Sequence, residues 1–230
     1  MITRAPHRGF WNERRTTGIF LGLALPIAGL GVVAIQAGAG YDFSTGVARP
    51  SAPLEGTFAV VKNLISPELS ITGWSRIMIG VVAPITALSG LAMLTTLLRD
   101  AGDQALSLLG VISYLLAAVF IMFVEVDSVS GREYRADYAN VFTILAFLSQ
   151  VVYGGALWRT RLLPAWVAWI TIIFNVGWLL AFCVVNYPYG PGYYPLWNLI
   201  TPFLIGVMLV VPRHQSAATR TTRERAIPET

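Results

Sequence analysis

The stretch Gly154-Gly-Ala-Leu-Trp-Arg-Thr-Arg-Leu-Leu-Pro-Ala-Trp-Val-Ala-Trp169 decides the class of this chain. A long apolar run ends at Trp158 and another begins at Pro164, with only Arg159 to Leu163 between them. That spacing predicts a tight turn between two membrane-spanning helices. Arginines beside a membrane exit are retained on the cytoplasmic side, and Trp158 and Trp166 suit the membrane–water interface. Pro164 fits a first helical turn, where its missing N–H would have no partner anyway.

Composition extends the same reading to the whole chain. Only 12% of the 230 residues are charged and 55% are hydrophobic, with a mean hydropathy of +0.63, whereas soluble domains carry about 25% charged residues. A helix needs roughly 20 apolar residues to cross the bilayer core. The chain therefore has room for several spans and little for a soluble domain. A membrane barrel would show apolar/polar alternation in segments of about ten residues, but Ile77 to Leu98 is apolar nearly throughout. The expected fold is all-α: a single polytopic helix bundle over residues 1–230.

Working outward from the turn, the fourth span is expected at about Tyr138 to Trp158 and the fifth from Pro164 to about Val185. The sixth, about Pro195 to Val211, is short and interrupted by Pro202. Upstream, the first span covers about Thr17 to Ala37, the second about Ile77 to Leu98 and the third about Ala105 to Glu125. The first exceeds a signal-peptide core of about 7–15 residues and is read as a retained span. Its Gly18, Gly22, Pro26 and Gly29 form a small-residue stripe suited to close helix approach. Pro84 should kink the second span, because it removes one backbone hydrogen bond and crowds the carbonyl of Gly80. The pattern Gly-x-x-x-Pro-Ile-x-x-Leu occurs from Gly22 and again from Gly80, as an internal duplication would leave it. Asp103 and Asp137 are placed to cap the third and fourth helices.

The connections carry the charge. Basic tails flank the spans at about 1–16 and 212–230, and a Gly-, Pro- and Ser-rich loop fills about 38–76. Within that loop, the Phe58 to Ser66 pattern fits either a short interfacial helix or a loop strand. With both termini cytoplasmic, eleven of the 16 basic residues lie inside, and five (Arg49, Lys62, Arg76, Arg132, Arg135) lie outside. An even number of spans and the positive-inside rule agree. The expected setting is a cytoplasmic (inner) membrane.

Net charge +4 and a pI near 9.5 do not point to nucleic acid, since the arginines are spread over tails and turns without aromatics interleaved on a soluble face. Membrane lipids are the expected counter-charge, with protein partners in the membrane a further possibility. His7 and His214 lie in the tails, the single lysine Lys62 lies in the outer loop, and Cys183 stands alone. Haem or zinc ligation, histidine acid/base chemistry and a Schiff base thereby lose their usual residues. Neither a phosphate-binding loop nor a nucleophile elbow is present. No cofactor and no metal is expected.

Two groups could still bind something. Within the spans Gln150, Asn175 and Asn198, with Thr86, Ser89 and Tyr114, either bind the helices together or line a path. Folding the hairpin at Arg161 brings Gln150 and Asn175 to similar depth, where their amides could hydrogen-bond. On the outer face Glu125, Asp127, Arg132, Glu133, Arg135 and Asp137 gather in one connection. Tyr187, Tyr189, Tyr193, Tyr194 and Trp197 flank the next. Glu125, Asp127, Arg132, Arg135, Tyr187 and Trp197 are the candidate ligand site, for a sugar, a headgroup or a cation. In the plainer reading, the charges pair with one another, Glu125 with Arg132 or Arg135, beneath an ordinary aromatic belt.

Leu157-Trp-Arg-Thr-Arg-Leu-Leu-Pro-Ala-Trp166 resembles the turn, roughly Trp-Arg-Ser-x-Leu-Leu-Pro-x-Trp, of a family of bacterial six-span integral membrane proteins of unassigned activity. The likeness covers about Tyr153 to Ala181. It implies a six-helix bundle and supplies no catalytic residues. The sequence thus reads as a non-catalytic accessory or binding component. The alternative is a small transporter or membrane enzyme using the outer-face cluster.

Overall fold

The computed structural model describes residues 8–38, 41–42, 47–48, 71–129, 136–184 and 194–211. Its helices are α1 (Arg8–Gly38), α2 (Ile71–Ile77), a π-helical turn (Met78–Val82), α3 (Ala83–Asp100), α4 (Leu106–Val129), α5 (Ala136–Thr160), α6 (Ala165–Val184) and α7 (Tyr194–Val210). The two-residue segments Tyr41–Asp42 and Val47–Ala48 pair antiparallel in the connection after α1. The segment around Phe58 to Ser66 lies outside the described residues.

Five segments are long and apolar enough to cross a membrane: Asn12–Ala34, Gly73–Asp100, Leu106–Val126, Asp137–Thr160 and Ala165–Cys183. The sixth apolar helix is shorter, with Leu196–Val210 as its apolar part. The 17 residues of α7 span about 25 Å at 1.5 Å per residue, a little under a bilayer core of about 30 Å. The protein is an all-α, multi-pass membrane bundle.

The large apolar side chains left on the outside, such as Leu30, Leu115, Phe123, Ile173 and Leu180, suit lipid. The core is built from Leu21, Leu91, Leu94, Tyr114, Phe142, Tyr153 and Leu157 with alanines between them. Small residues set the helix spacing. A Cβ at Gly18 would lie 2.7 Å from the carbonyl of Gly206, and one at Gly206 would lie 2.6 Å from the carbonyl of Gly18, so α1 and α7 touch backbone to backbone. The expected stripe holds at Gly18 and at Gly22, whose backbone N would lie 2.6 Å from a Cβ at Gly206, and is corrected beyond them: Gly29 faces open space and Pro26 is exposed. The buried face of α1 runs instead through Leu21, Ala24, Ala28 and Gly31.

Pro84 acts through the turn before it. It cannot donate to the carbonyl of Gly80, and its ring crowds that carbonyl in a regular helix. The chain widens to a π turn, in which Ala83 N–H reaches Met78 O, and Pro84 then occupies the first turn of regular helix α3. Pro26, in the matching pattern, lies inside an uninterrupted α-helix.

Both tight turns have local causes. After α3, Gly102 takes φ +100°, Gly102 N–H returns to Arg99 O and Asp103 N–H to Leu98 O. This is a Schellman stop, for which glycine is the favoured residue. Asp103 then accepts from Ser107 N–H at 2.7 Å, capping α4 as its position predicts. Asp137 lies in the first turn of α5, one residue inside the helix. After α5, Arg161 takes the left-handed conformation at φ 55°, with its N–H on Leu157 O and its guanidinium 4.5 Å from the Trp158 ring centre. Pro164 stands just before α6 and accepts from Val167 N–H.

The start of α1 and the end of α7 share one end of the bundle, where the Arg14 guanidinium donates to Met208 O at 3.3 Å. Leu21 packs against Gly90 and Tyr153 against Gly110, so the turns after α3 and α5 lie toward that same end. Arg14, Arg99, Arg159 and Arg161 thus gather at one end, and Arg76 and Glu125 at the other.

Candidate functional site

Glu125 sits near the C-terminal end of α4, only 8% exposed. Its side chain lies directly over Gly80 in the π turn, where an added methyl would overlap it. Glu125 Oε2 is 3.8 Å from Arg76 Nη1 and accepts no hydrogen bond among the described residues. Arg76 is thus the described ionic partner, supplied across the bundle by α2. The expected partners Arg132 and Arg135 lie outside the described residues, as does Tyr187. Asp127 falls in the last turn of α4.

Trp197 belongs to a different neighbourhood. It stacks on Trp178 of α6 at 4.9 Å between ring centres, and Trp178 in turn stacks on Phe147 of α5 at 6.3 Å. The contacts of Trp197 run to α6 and those of Glu125 to α2 and the π turn. Of the six expected site residues, Glu125 thus pairs with Arg76 and Trp197 stacks on Trp178.

The intramembrane polar residues assemble more closely than expected. Gln150, Asn175, Asn198 and Thr201 all show 0% exposure. Asn175 Nδ2 donates to Thr171 O at 2.6 Å and to Thr201 Oγ1 at 3.1 Å. Thr201 Oγ1 donates to Gln150 Oε1 at 3.5 Å. The expected direct bond between Gln150 and Asn175 is replaced by a bridge through Thr201, which sequence reasoning missed. Asn198 lies three positions before Thr201 on α7, so the two share a helix face. Four polar atoms here find no hydrogen-bond partner among the described residues: Gln150 Nε2, Asn175 Oδ1, Asn198 Nδ2 and Asn198 Oδ1. A buried unpaired polar group costs about 1–3 kcal/mol.

A second buried polar group joins α3, α4 and α5. Tyr153 Oη donates to Leu91 O at 2.9 Å and lies 2.7 Å from Thr95 Oγ1, which also reaches Leu91 O and Ser107 O. Nearby, Ser149 donates to Gly110 O at 2.6 Å. By contrast, Thr86 and Ser89 bond back to Val82 O and Ile85 O of their own helix segment.

Among the described residues no group of three or more His, Cys, Asp or Glu side chains could hold a metal ion. Cys183 is exposed, on a face of α6 that turns outward. Comparison of the chain with protein-family models, curated proteins and solved structures finds no match.

Proposed function

We propose that this protein is a non-catalytic accessory component of a bacterial cytoplasmic membrane, with both termini and the arginine-rich end of the bundle in the cytoplasm. It would work by packing against a transmembrane helix of another protein through the outer face of α6. One observation carries this reading. Gly177 and Ala181, four positions apart, lie in a shallow groove of about 240 Å³ whose walls are Phe174 and Trp178. A Cβ at Gly177 would meet nothing within 4 Å, so a partner backbone has room to approach. Small residues at this spacing let helices come close in lipid, where packing drives association.

The test is a photo-reactive side chain at Ile173 or Leu180, irradiated in native membranes. A discrete protein adduct that disappears with Gly177→Leu is expected. Adducts to lipid alone would remove the accessory reading.

A second reading, a small transporter or membrane enzyme, draws on Glu125. Buried carboxylates within spans commonly mark ligand or ion paths, and π turns recur at functional sites. In this reading wild-type protein is stabilised against heat by a cation, sugar or lipid, and Glu125→Gln removes the stabilisation. A wild type that melts alike with every compound would count against it.

A further inference from the structure

We infer that Gln150, Asn175, Asn198 and Thr201 form a water-binding site between α5, α6 and α7, occupied by one or two buried waters that complete the hydrogen bonding of the three helices. The inference is independent of the proposed docking face on α6.

The argument starts from supply and demand. Thr201 brings one hydroxyl proton, and it is directed to Gln150 Oε1. Asn175 spends its amide group on Thr171 O and on Thr201. What remains is two amide donors, Gln150 Nε2 and Asn198 Nδ2, and two carbonyl acceptors, Asn175 Oδ1 and Asn198 Oδ1. Turning the Asn198 amide over exchanges one donor with one acceptor and leaves both without a partner. The backbone adds a further acceptor. Pro202 follows Asn198 by four positions inside α7 and has no N–H to give to its carbonyl.

The chemistry selects the ligand. All four side chains are uncharged, so the site offers neither an anion nor a cation a counter-charge, and a charged guest would be expensive to bury. A guest must both donate and accept, because the remaining atoms include both kinds. Water does both, and a buried water typically makes about three bonds to buried polar groups that otherwise lack partners. The remaining atoms and the Asn198 carbonyl supply enough bonds for one or two. The contact between Thr201 and Gln150, at 3.5 Å, is at the outer limit of a direct bond, a separation at which a bridging water commonly takes part.

The experiment uses the full chain in lipid bicelles, with nitrogen-15 in its asparagine and glutamine side chains. Cross-relaxation between the side-chain NH2 protons and water is recorded, and the Gln150 and Asn198 signals are assigned by their disappearance in Gln150→Leu and Asn198→Leu. The expected result is a water cross-peak at both NH2 groups with the sign of a long-lived contact. Asn198→Leu should at least halve the Gln150 peak, since the two amides share the water. NH2 groups that show cross-peaks only to protein protons would overturn the inference, as would water contact at one amide alone. A Gln150 peak unchanged by Asn198→Leu would do the same. Should that variant not fold, Thr201→Val, which keeps the side-chain shape, asks the same question of the Gln150 peak.

Discussion

Tyr153 and Gln150 stand three positions apart on α5, about 60° from each other around the helix, and both are fully buried. They belong to opposite kinds of polar site. The hydroxyl of Tyr153 meets Leu91 O and Thr95 within 2.9 Å, and its ring covers Gly110. Gln150 holds Thr201 at 3.5 Å and leaves its NH2 without a partner among the described residues. Residue type does not separate these two roles, since buried Asn, Gln, Thr and Tyr serve in either. Closure does. A polar group whose hydrogen bonds are complete within the protein joins helices, whereas one left open calls for a further molecule.

The largest effect should come from the closed site. Tyr153→Ala removes a large buried side chain from the junction of α3, α4 and α5, and should cost about 3–5 kcal/mol by analogy with other aromatic truncations. Tyr153→Phe isolates the hydroxyl and should cost about 0.6 kcal/mol, the average for hydrogen bonds between membrane helices, and at most about 1.7 kcal/mol. Reversible unfolding in mixed micelles measures both. A Tyr153→Phe variant as stable as wild type would break the contrast, because the closed site would then be no more cohesive than the open one.

An intermediate effect should come from moving α7 without touching either site. Gly206→Leu forces a side chain against the backbone of α1, where even a Cβ lies 2.6 Å from Gly18 O and Gly22 N. Overpacking of this kind costs about 1–3 kcal/mol. Because α7 carries Asn198 and Thr201 but not Tyr153, the variant should disturb the NH2 resonances of Gln150 and leave the hydroxyl of Tyr153 protected from exchange. Equal disturbance at both would mean that the two sites move as one body.

Much of this architecture was legible in the sequence, and for physical reasons. Span positions follow from runs of apolar residues long enough for a bilayer, and each observed span lies within a few residues of its expected bounds. Turns follow from Asp103 and Pro164, whose backbone requirements are local. What stayed hidden depends on pairing across the bundle. Glu125 finds Arg76, 49 positions earlier, because Gly80 opens the π turn to its side chain, and nothing near either residue announces that register. Thr95, Ser149 and Thr201 were missed because hydroxyls in membrane helices usually bond back to their own turn, as Thr86 and Thr143 do. The sequence carries no mark of which of them meets a second helix.

The smallest expected effect tests how the open site is wired. If Gln150 and Asn175 were bonded directly, as their similar depth suggests, replacing both with Leu would show a coupling of about 0.6 kcal/mol, the average for such bonds in a membrane protein. That coupling would persist whatever occupied position 201. With Thr201 between them, Asn175 donates to a hydroxyl that donates onward to Gln150, so the coupling passes through one oxygen. The same double-mutant cycle repeated in a Thr201→Val background should then fall sharply, because valine keeps the shape of threonine and deletes the relay, leaving only what the buried water carries. The cycle is read in mixed-micelle unfolding. A coupling undiminished by Thr201→Val would show that the two amides reach each other directly or through water alone, and the hydroxyl would be a bystander. A coupling that vanishes would make Thr201 the link between α5 and α6, and so the residue through which the open site still holds its helices together.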